Sequence, residues 1–326
     1  MNKLLSSLTA TTFILAAAAP PQALAGSFYQ RQDVQNFIET LSERHKMERE
    51  ELEQLFRQVE IKQEIIDAMN KPAEAKPWHQ YRPIFVTDSR ADDGVQFMRD
   101  NHDALQRAEE KYGVDATIIT AIIGVESRYG KYRGKYRVMD ALATLGFEYP
   151  RRSRFFRKEL EHFLLLSREE SLPPLAIKGS YAGAMGKPQF IASSYREYAV
   201  DFDGDGVRDL LNNSTDAIGS VASYLARHGW ERDQLIAVPA KTKKPYTLNK
   251  KALKPKVNIE EWRQKGVTAS TELDAQLKVA LIPLKTQDGQ EYWLGTKNFY
   301  AITRYNHSPL YAMAVYQLSQ SIKRKL

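Results

Sequence analysis

Between Ile118 and Val125 the chain is apolar on nearly every side of a helix, and the run ends on a carboxylate. Ile118, Ile122 and Val125 recur at helical spacing on one side, with Ile119 and Ile123 on the other, so the segment predicts a helix buried all round. Such a helix constrains everything near it, because other elements must cover each of its faces. Asp115 is placed to cap its start, and Gly130 to take the left-handed conformation past its end. Glu126 then falls in the last turn, where the negative end of the helix dipole and an apolar surround both disfavour the ionised form. Both effects push its pKa above the ordinary ~4.3, which is how a protein keeps a carboxylic acid able to donate a proton near neutral pH. The plainer alternative is a glutamate turned to water and paired with Arg128.

At 326 residues the chain exceeds one ordinary domain, and two or three units are expected. Lys3 precedes an apolar run from Phe13 to Ala19, and Ala23-Leu24-Ala25 before Gly26 fits a small-residue cleavage site. Residues 1–25 therefore read as a secretory signal peptide, cleaved after Ala25. A retained anchor fits less well, because the run is bounded by Ser, Thr and Pro and falls short of the ~20 residues a span needs. The chain has no cysteine, so an exported form has no disulfide and no thiol to carry a lipid at a processed N-terminus. A soluble periplasmic protein without a stable membrane anchor is the expectation. The net charge of the full chain, +7 and lower by one without the signal's Lys3, suits an anionic polymer such as cell wall, although basicity alone gives only non-specific attraction. Neither the export signal nor any recognisable motif favours nucleic acid.

Residues 26–90 read as an N-terminal helical region and linker. Val34, Phe37, Ile38 and Leu41, then Leu52, Leu55, Phe56 and Val59, keep helical spacing, while residues 71–83, with three prolines, predict an extended connection. Residues 91–237 predict a contiguous helical core. Its helices run from Asp93 to Tyr112 with Gly113 as the stop, through the Glu126 segment, over Arg154 to Arg168, and from Thr215 to His228 before Gly229. Residues 238–297 are rich in Lys, Thr and Pro, with strand-like runs at 277–282 and 292–294, and predict a small β-containing insert. Its lysines, among them Lys241, Lys250 and Lys251, read best as a solvated face. Residues 298–326 return to helical pattern through Tyr311, Ala314, Val315 and Leu318. The fold class is α+β, mainly α.

Two further segments carry polar groups in unusual settings. Gly179 to Phe190 mixes glycines and small residues with Ser180 and Gln189; such residues let backbone approach backbone or ligand closely. The run is not a phosphate loop, since the Gly-x-x-x-x-Gly-Lys-Ser/Thr pattern is unmatched. Asn298 to Tyr311 sets amide and hydroxyl groups among aromatic faces, as sugar binding needs and as ordinary aromatic packing also gives.

Taken in order, Glu126-Ser127-Arg128-Tyr129-Gly130, the Gly179 to Phe190 run and Arg304-Tyr305-Asn306 closely resemble the lytic murein transglycosylase B family, over about Tyr81 to Gln317. The resemblance implies a lysozyme-like core that cleaves peptidoglycan glycan strands between N-acetylmuramic acid and N-acetylglucosamine. It implies Glu126 as catalytic acid/base. It also implies a sugar groove lined by Tyr81, Arg151, Arg152, Ser180, Gln189, Tyr224, Tyr305, Asn306 and Tyr311. One local departure is Ile191-Ala192, where the family has an apolar residue and then proline.

The segment from Asp201 to Asp209 follows the EF-hand calcium pattern. Asp201, Asp203, Asp205 and Asp209 stand at positions one, three, five and nine, Gly206 at six, and Val207 offers its carbonyl at seven. Position twelve is Asn212 rather than the usual Glu. The resemblance supplies a late carboxylate from the next helix, matched by Asp216, and so implies a structural calcium held by Asp201, Asp203, Asp205, Val207 and Asp216; a solvated Asp/Gly turn is the alternative. Two rivals to a transglycosylase with one catalytic carboxylate remain at this level. One is a hydrolase with a second carboxylate to activate water, and the other an inactive wall-binding protein that keeps only the aromatic groove.

Overall fold

The computed structural model describes residues 28–70, 76–249 and 253–326. The expected signal peptide and its cleavage site, residues 71–75, and the insert's Lys250 and Lys251 lie outside them. The chain divides into two units, one ending at Glu60 and one running from Ile61 to Leu326.

In the first unit, α1 (Gln32–His45) and α2 (Arg49–Arg57) pack through the apolar stripes that their spacing predicts. Phe37 meets Phe56 edge-on, with ring centroids 6.0 Å apart.

The second unit is built around α7. Before it come α3 (Gln63–Met69), α4 (Trp78–Phe85), α5 (Asp88–Asp100) and α6 (His102–Tyr112). The helix α7 (Ala116–Ser127) buries ten of its twelve residues, so no face is left for solvent. Each fully buried Ile contributes on the order of 1.5–3 kcal/mol relative to exposure. Asp115 caps its start, accepting from the Thr117 amide at 2.7 Å.

Two expectations are corrected here. The helix drawn from Asp93 to Tyr112 is two helices, broken at Asn101 (φ −127°, ψ 28°), whose side-chain amide donates to the Phe97 carbonyl at 2.8 Å. An Asn that competes for the backbone in this way ends a helix without glycine or proline. The predicted extended connection contains α4, with Pro83 in its last turns; its Trp78 and Tyr81 are buried, and that burial outweighs the hydrogen bond that proline cannot make.

Beyond α7, β1 (Tyr136–Arg137) leads into α8 (Val138–Glu148), a short 3₁₀ turn at Pro150–Arg152, and α9 (Ser153–Glu169). A short strand β2 (Lys178–Gly179) pairs antiparallel with β1, with Gly179 opposite Tyr136. Next come α10 (Ala192–Tyr198) and α11 (Ser214–Arg227).

The lysine-rich insert forms a five-stranded antiparallel sheet from β3 (Ala237–Thr242), β4 (Val257–Asn258), β5 (Val267–Ala269), β6 (Lys278–Lys285) and β7 (Gln290–Gly295), in the order β4-β6-β7-β3-β5, with the small helix α12 (Ile259–Gln264) between β4 and β5. Trp293 pairs with Ile282 on one side and Pro239 on the other. In the ladders Pro239 pairs only with Trp293 and Pro283 only with Tyr292, the Pro239 carbonyl also accepting the Ser270 amide at 2.8 Å beyond the end of β5, so neither missing N–H breaks a ladder. Val238, Ile259, Val267, Val279 and Leu294 make a separate small core for this sheet.

The chain returns through α13 (Lys297–Tyr305) and α14 (Pro309–Lys323). α5, α6, α11 and α14 all pack on α7. The central helix is thereby covered by elements from both ends of the second unit.

Candidate active site

Glu126 stands at the end of α7, half-buried, and the chain reverses at once behind it. Arg128, Tyr129 and Gly130 follow in the left-handed region, with φ of 49°, 59° and 87°. For a residue other than glycine this costs on the order of 1–3 kcal/mol, and both side chains are held in compensation. Arg128 Nε donates to Asp93 Oδ2 at 2.9 Å and Nη2 to Ser89 Oγ at 2.6 Å, while Lys131 Nζ reaches the other Asp93 oxygen at 2.9 Å. The bonds from Lys131 and Arg128 hold the Asp93 carboxyl below the usual carboxylate range. The Tyr129 hydroxyl donates to the Arg90 carbonyl at 2.8 Å. Gly124 makes room for that ring, since a Cβ there would lie 2.5 Å from the Tyr129 oxygen. Ser127 completes the turn, donating to the Lys187 carbonyl at 2.6 Å and accepting from the Gly130 amide at 2.9 Å.

The other side of the site comes from the C-terminal helices. Ser308 caps α14 through the Tyr311 amide, and Tyr311, 2% exposed, donates its hydroxyl to Glu126 Oε1 at 2.6 Å. Tyr305 stacks on Tyr311, with centroids 6.2 Å apart and planes 11° apart, and donates to the Pro188 carbonyl at 2.6 Å. Burial first, and then the Glu126 carboxylate, push both phenols well above the usual tyrosine value. Both are therefore neutral donors at physiological pH, and Tyr311 orients the Glu126 carboxyl group through Oε1.

A cleft of about 360 Å³ opens beside Tyr305, lined among others by Arg152, Phe155, Gln189, Phe190, Tyr224, Arg304 and His307. The Arg152 guanidinium lies 4.3 Å from the Phe155 ring centroid. Tyr224 packs edge-on against Tyr305 at 4.9 Å and stacks on His228 at 4.0 Å, with its hydroxyl spent on the Arg304 carbonyl. It serves as wall, and burial pushes that phenol up as well.

The glycine-rich run forms the remaining edge. Ser180 Oγ accepts from the Ala182 and Ala184 amides at 3.2 and 3.0 Å. Gly186 (φ 73°) lies so close to the Leu210 carbonyl that a Cβ would come within 2.3 Å of its oxygen. Gln189 (φ 52°) is held by its own amide, which donates to the Gly186 and Arg133 carbonyls at 2.8 and 3.2 Å.

Tyr81, Arg151 and Asn306, expected in the groove, do not line the cleft. Tyr81 is 1% exposed, stacked on Trp78 and tilted against Phe85, so it is part of the packing and presents no surface to the cleft. Arg151 is exposed but does not line the cleft, whereas Arg152 does. Asn306 ends α13 half-buried and accepts the Ser308 amide at 2.6 Å on its carbonyl. Residues outside the sequence reading also shape the cleft. Phe155 and Phe156 lie on the helix predicted over Arg154 to Arg168, and only Phe156 is fully buried; the signal was the adjoining Arg151-Arg152. Ser127 and Lys187 had no chemical pattern to betray them, because their roles depend on a contact 60 residues long.

In the acidic loop, carboxylate oxygens of Asp201, Asp203 and Asp205 lie within 4.8 Å of one another. Asp201 accepts the Gly204 and Gly206 amides at 2.7 and 2.8 Å, and these backbone bonds, that from Gly206 foremost, lower its pKa. Asp216 is buried and separate from the convergent three, with Oδ1 accepting the Phe202 amide at 2.7 Å and Oδ2 the Asp209 amide at 2.8 Å. It braces both ends of the loop. Asn213 caps α11 through the Thr215 amide and donates to Asp203 at 2.6 Å. Hard, convergent carboxylate oxygens on a loop tied to a helix fit a calcium ion.

Residues 29–320 match the family model described as transglycosylase SLT domain. The chain is 42% identical, over 320 residues, to the membrane-bound lytic murein transglycosylase B of Escherichia coli K12, covering 95% of this chain and 88% of that one. Its fold matches the solved soluble lytic transglycosylase SltB1 from Pseudomonas aeruginosa with a TM-score of 0.83 and 47% identity, covering 90% of this chain and 99% of that one. It matches the Escherichia coli lytic transglycosylase Slt35 in complex with calcium with a TM-score of 0.84 and 42% identity, covering 91% and 94%.

Proposed function

Because the chain belongs to the transglycosylase SLT domain family, we propose that Glu126 is its single catalytic acid/base and that the cleft beside it takes a glycan strand. The protein is a peptidoglycan lytic transglycosylase, a carbon–oxygen lyase acting on polysaccharide, with a lysozyme-like helical core. It cleaves the β-1,4 bond between N-acetylmuramic acid and N-acetylglucosamine and forms 1,6-anhydromuramic acid.

The chemistry needs one proton moved twice. Glu126 donates its proton to the leaving glycosidic oxygen as the bond to the anomeric carbon breaks. The muramic acid C6 hydroxyl attacks that carbon, and its proton returns to Glu126, so the carboxyl group ends as it began. An attacking group already in the substrate carries a large effective molarity, which makes a second carboxylate unnecessary. A glycosidase that uses water needs one on the opposite face of the ring.

The observation that carries the reading is the Tyr311 hydroxyl bound to Glu126 Oε1, with Tyr311 stacked on the Tyr305 that lines the cleft. Asp93, on α5 against the turn behind Glu126, is engaged by Arg128 and Lys131. Mass analysis of the products from purified peptidoglycan tests it, with anhydromuropeptides expected and reducing muramic acid as the contrary result.

In this reading Tyr305, Ser180, Gln189, Asn306 and Arg152 meet sugar directly, with Arg151 at the rim, while Tyr224, Tyr311 and Tyr81 hold the wall. Cationic Arg152 and Arg304 suit the acidic stem peptides of the polymer. Calcium at Asp201, Asp203, Asp205 and the Val207 carbonyl, with Asp216 holding the loop closed around it, would be structural; the relative solved with calcium supports that. A periplasmic location accords with the leader-like sequence, and no helix among the described residues is long and apolar enough to cross a membrane.

A further inference from the structure

Lys187 joins three parts of the site that come from distant stretches of chain. Its carbonyl accepts the Ser127 hydroxyl at 2.6 Å, one residue beyond Glu126. The next carbonyl, of Pro188, accepts the Tyr305 hydroxyl at 2.6 Å. The Lys187 amide donates to the Leu210 carbonyl at 2.9 Å. The side chain crosses the left-handed turn so closely that a Cβ on Gly130 would lie 3.2 Å from both Cγ and Cε. Its ammonium then reaches the Asn212 carbonyl at 2.5 Å and Ser214 Oγ at 2.7 Å, where α11 begins.

The segment it grips is firm. Asp209 Oδ1 accepts the Leu211 and Asn212 amides at 2.8 and 2.9 Å, and Arg133 donates to the Leu211 carbonyl and, at 3.1 Å, to Asn212 Oδ1. Two cations thus clamp the exit of the acidic loop. A half-buried ammonium is costly to desolvate, and here hydrogen bonds to that segment and the nearby Asp209 carboxylate offset the cost.

We propose that Lys187 is a positioning residue for glycosidic bond cleavage: its ammonium ties residues 210–214 to the turn behind Glu126 and so keeps Glu126, Tyr311 and Tyr305 in one arrangement. The proposal rests on Glu126 being the catalytic acid. Displacing a catalytic group by about 1 Å costs on the order of 100-fold in rate, so the strut acts on turnover more than on sugar binding.

Lys187→Met keeps the stem and removes the charge. Steady-state cleavage of soluble glycan strands should show kcat down about 10- to 100-fold, with KM changed less than about threefold. Because the chain has no cysteine, Lys187→Cys carries a single thiol, and alkylation with bromoethylamine rebuilds a side chain of lysine's length with a terminal ammonium. The unmodified Cys variant should match Lys187→Met, and the alkylated one should recover to within about threefold of the parent kcat. Assays run well below each variant's melting transition by circular dichroism, so lost folding registers as lost ellipticity.

A Lys187→Met enzyme with the parent kcat overturns the proposal. So does a loss confined to KM, or one that alkylation leaves in place. Glu126→Gln run alongside separates the two readings: if it is active, the catalytic assignment fails, and if it is inactive while Lys187→Met turns over normally, only the role of Lys187 fails.

Discussion

The Tyr311 hydroxyl donates to Glu126 Oε1 at 2.6 Å across 185 residues of chain. One partner ends the central helix and the other begins the last, so the pairing exists only when α14 is seated on α7. Removing one donor to a charged acceptor costs about 1.5–3 kcal/mol, or roughly 10- to 100-fold if it is felt in the transition state. Tyr311→Phe keeps the ring and its stacking on Tyr305. A loss of that size in the rate of clearing a peptidoglycan suspension is expected, with the melting temperature nearly unchanged.

Gly124 faces the Tyr129 ring, and a Cβ there would lie 2.5 Å from the oxygen and 2.6 Å from Cζ. The ring cannot swing away without losing its bond to the Arg90 carbonyl. Gly124→Ala should destabilise by about 1–3 kcal/mol, as overpacking does, even though alanine favours helix. A urea melt checks it, with a lower midpoint and an unchanged slope expected.

Asp93 has its carboxyl pKa held below the ordinary 3.8 by Lys131 and Arg128. A lowered folded-state value means the ionised form is favoured by folding. The stabilisation is fully present above the unfolded pKa and is lost as pH falls through the folded one. Asp93→Asn should therefore melt below the parent at pH 7, and the gap should close as the parent is taken below the ordinary 3.8 and through the lowered folded-state pKa. Paired melting curves across that range decide it.

Calcium should raise the melting temperature, since a ligand that binds only the folded state stabilises it by mass action. Without a Glu at position twelve, the dissociation constant should be on the order of 10⁻⁴–10⁻³ M. Asp203→Ala removes one of the three convergent carboxylates and the bond from Asn213. It should abolish the rise between excess chelator and calcium well above that dissociation constant.

How much of this was legible in the sequence varies with the range of the interaction. The all-round apolar α7, its Asp115 cap and the helix-stopping Gly113 are local signals, and the structure places them as the spacing predicts. The end of α7 was only half legible. Gly130 does lie in the left-handed region, but Arg128 and Tyr129 enter it first, held by Asp93 and Arg90, which no local pattern could signal. The strand-like runs at 277–282 and 292–294 surfaced as β6 and β7. The short β4 and β5 did not, because two or three residues carry no readable alternation and their pairing is set by the neighbouring strands. Motif resemblance selected Tyr305, Tyr311 and Gln189, yet not which of their atoms face Glu126, the wall or the cleft. That division depends on side-chain packing between helices far apart in sequence.

The most direct measurement follows the fate of the proton-carrying carboxyl group and the identity of the product together. Purified peptidoglycan is digested with the parent enzyme and with Glu126→Gln, and the muropeptides are identified by mass. The parent should release fragments ending in 1,6-anhydro-N-acetylmuramic acid, lighter by one water than reducing fragments. Glu126→Gln should fold and release the same fragments at least about 100-fold more slowly. Reducing muramic acid as the main product, or near-parent activity in Glu126→Gln, would contradict the assignment.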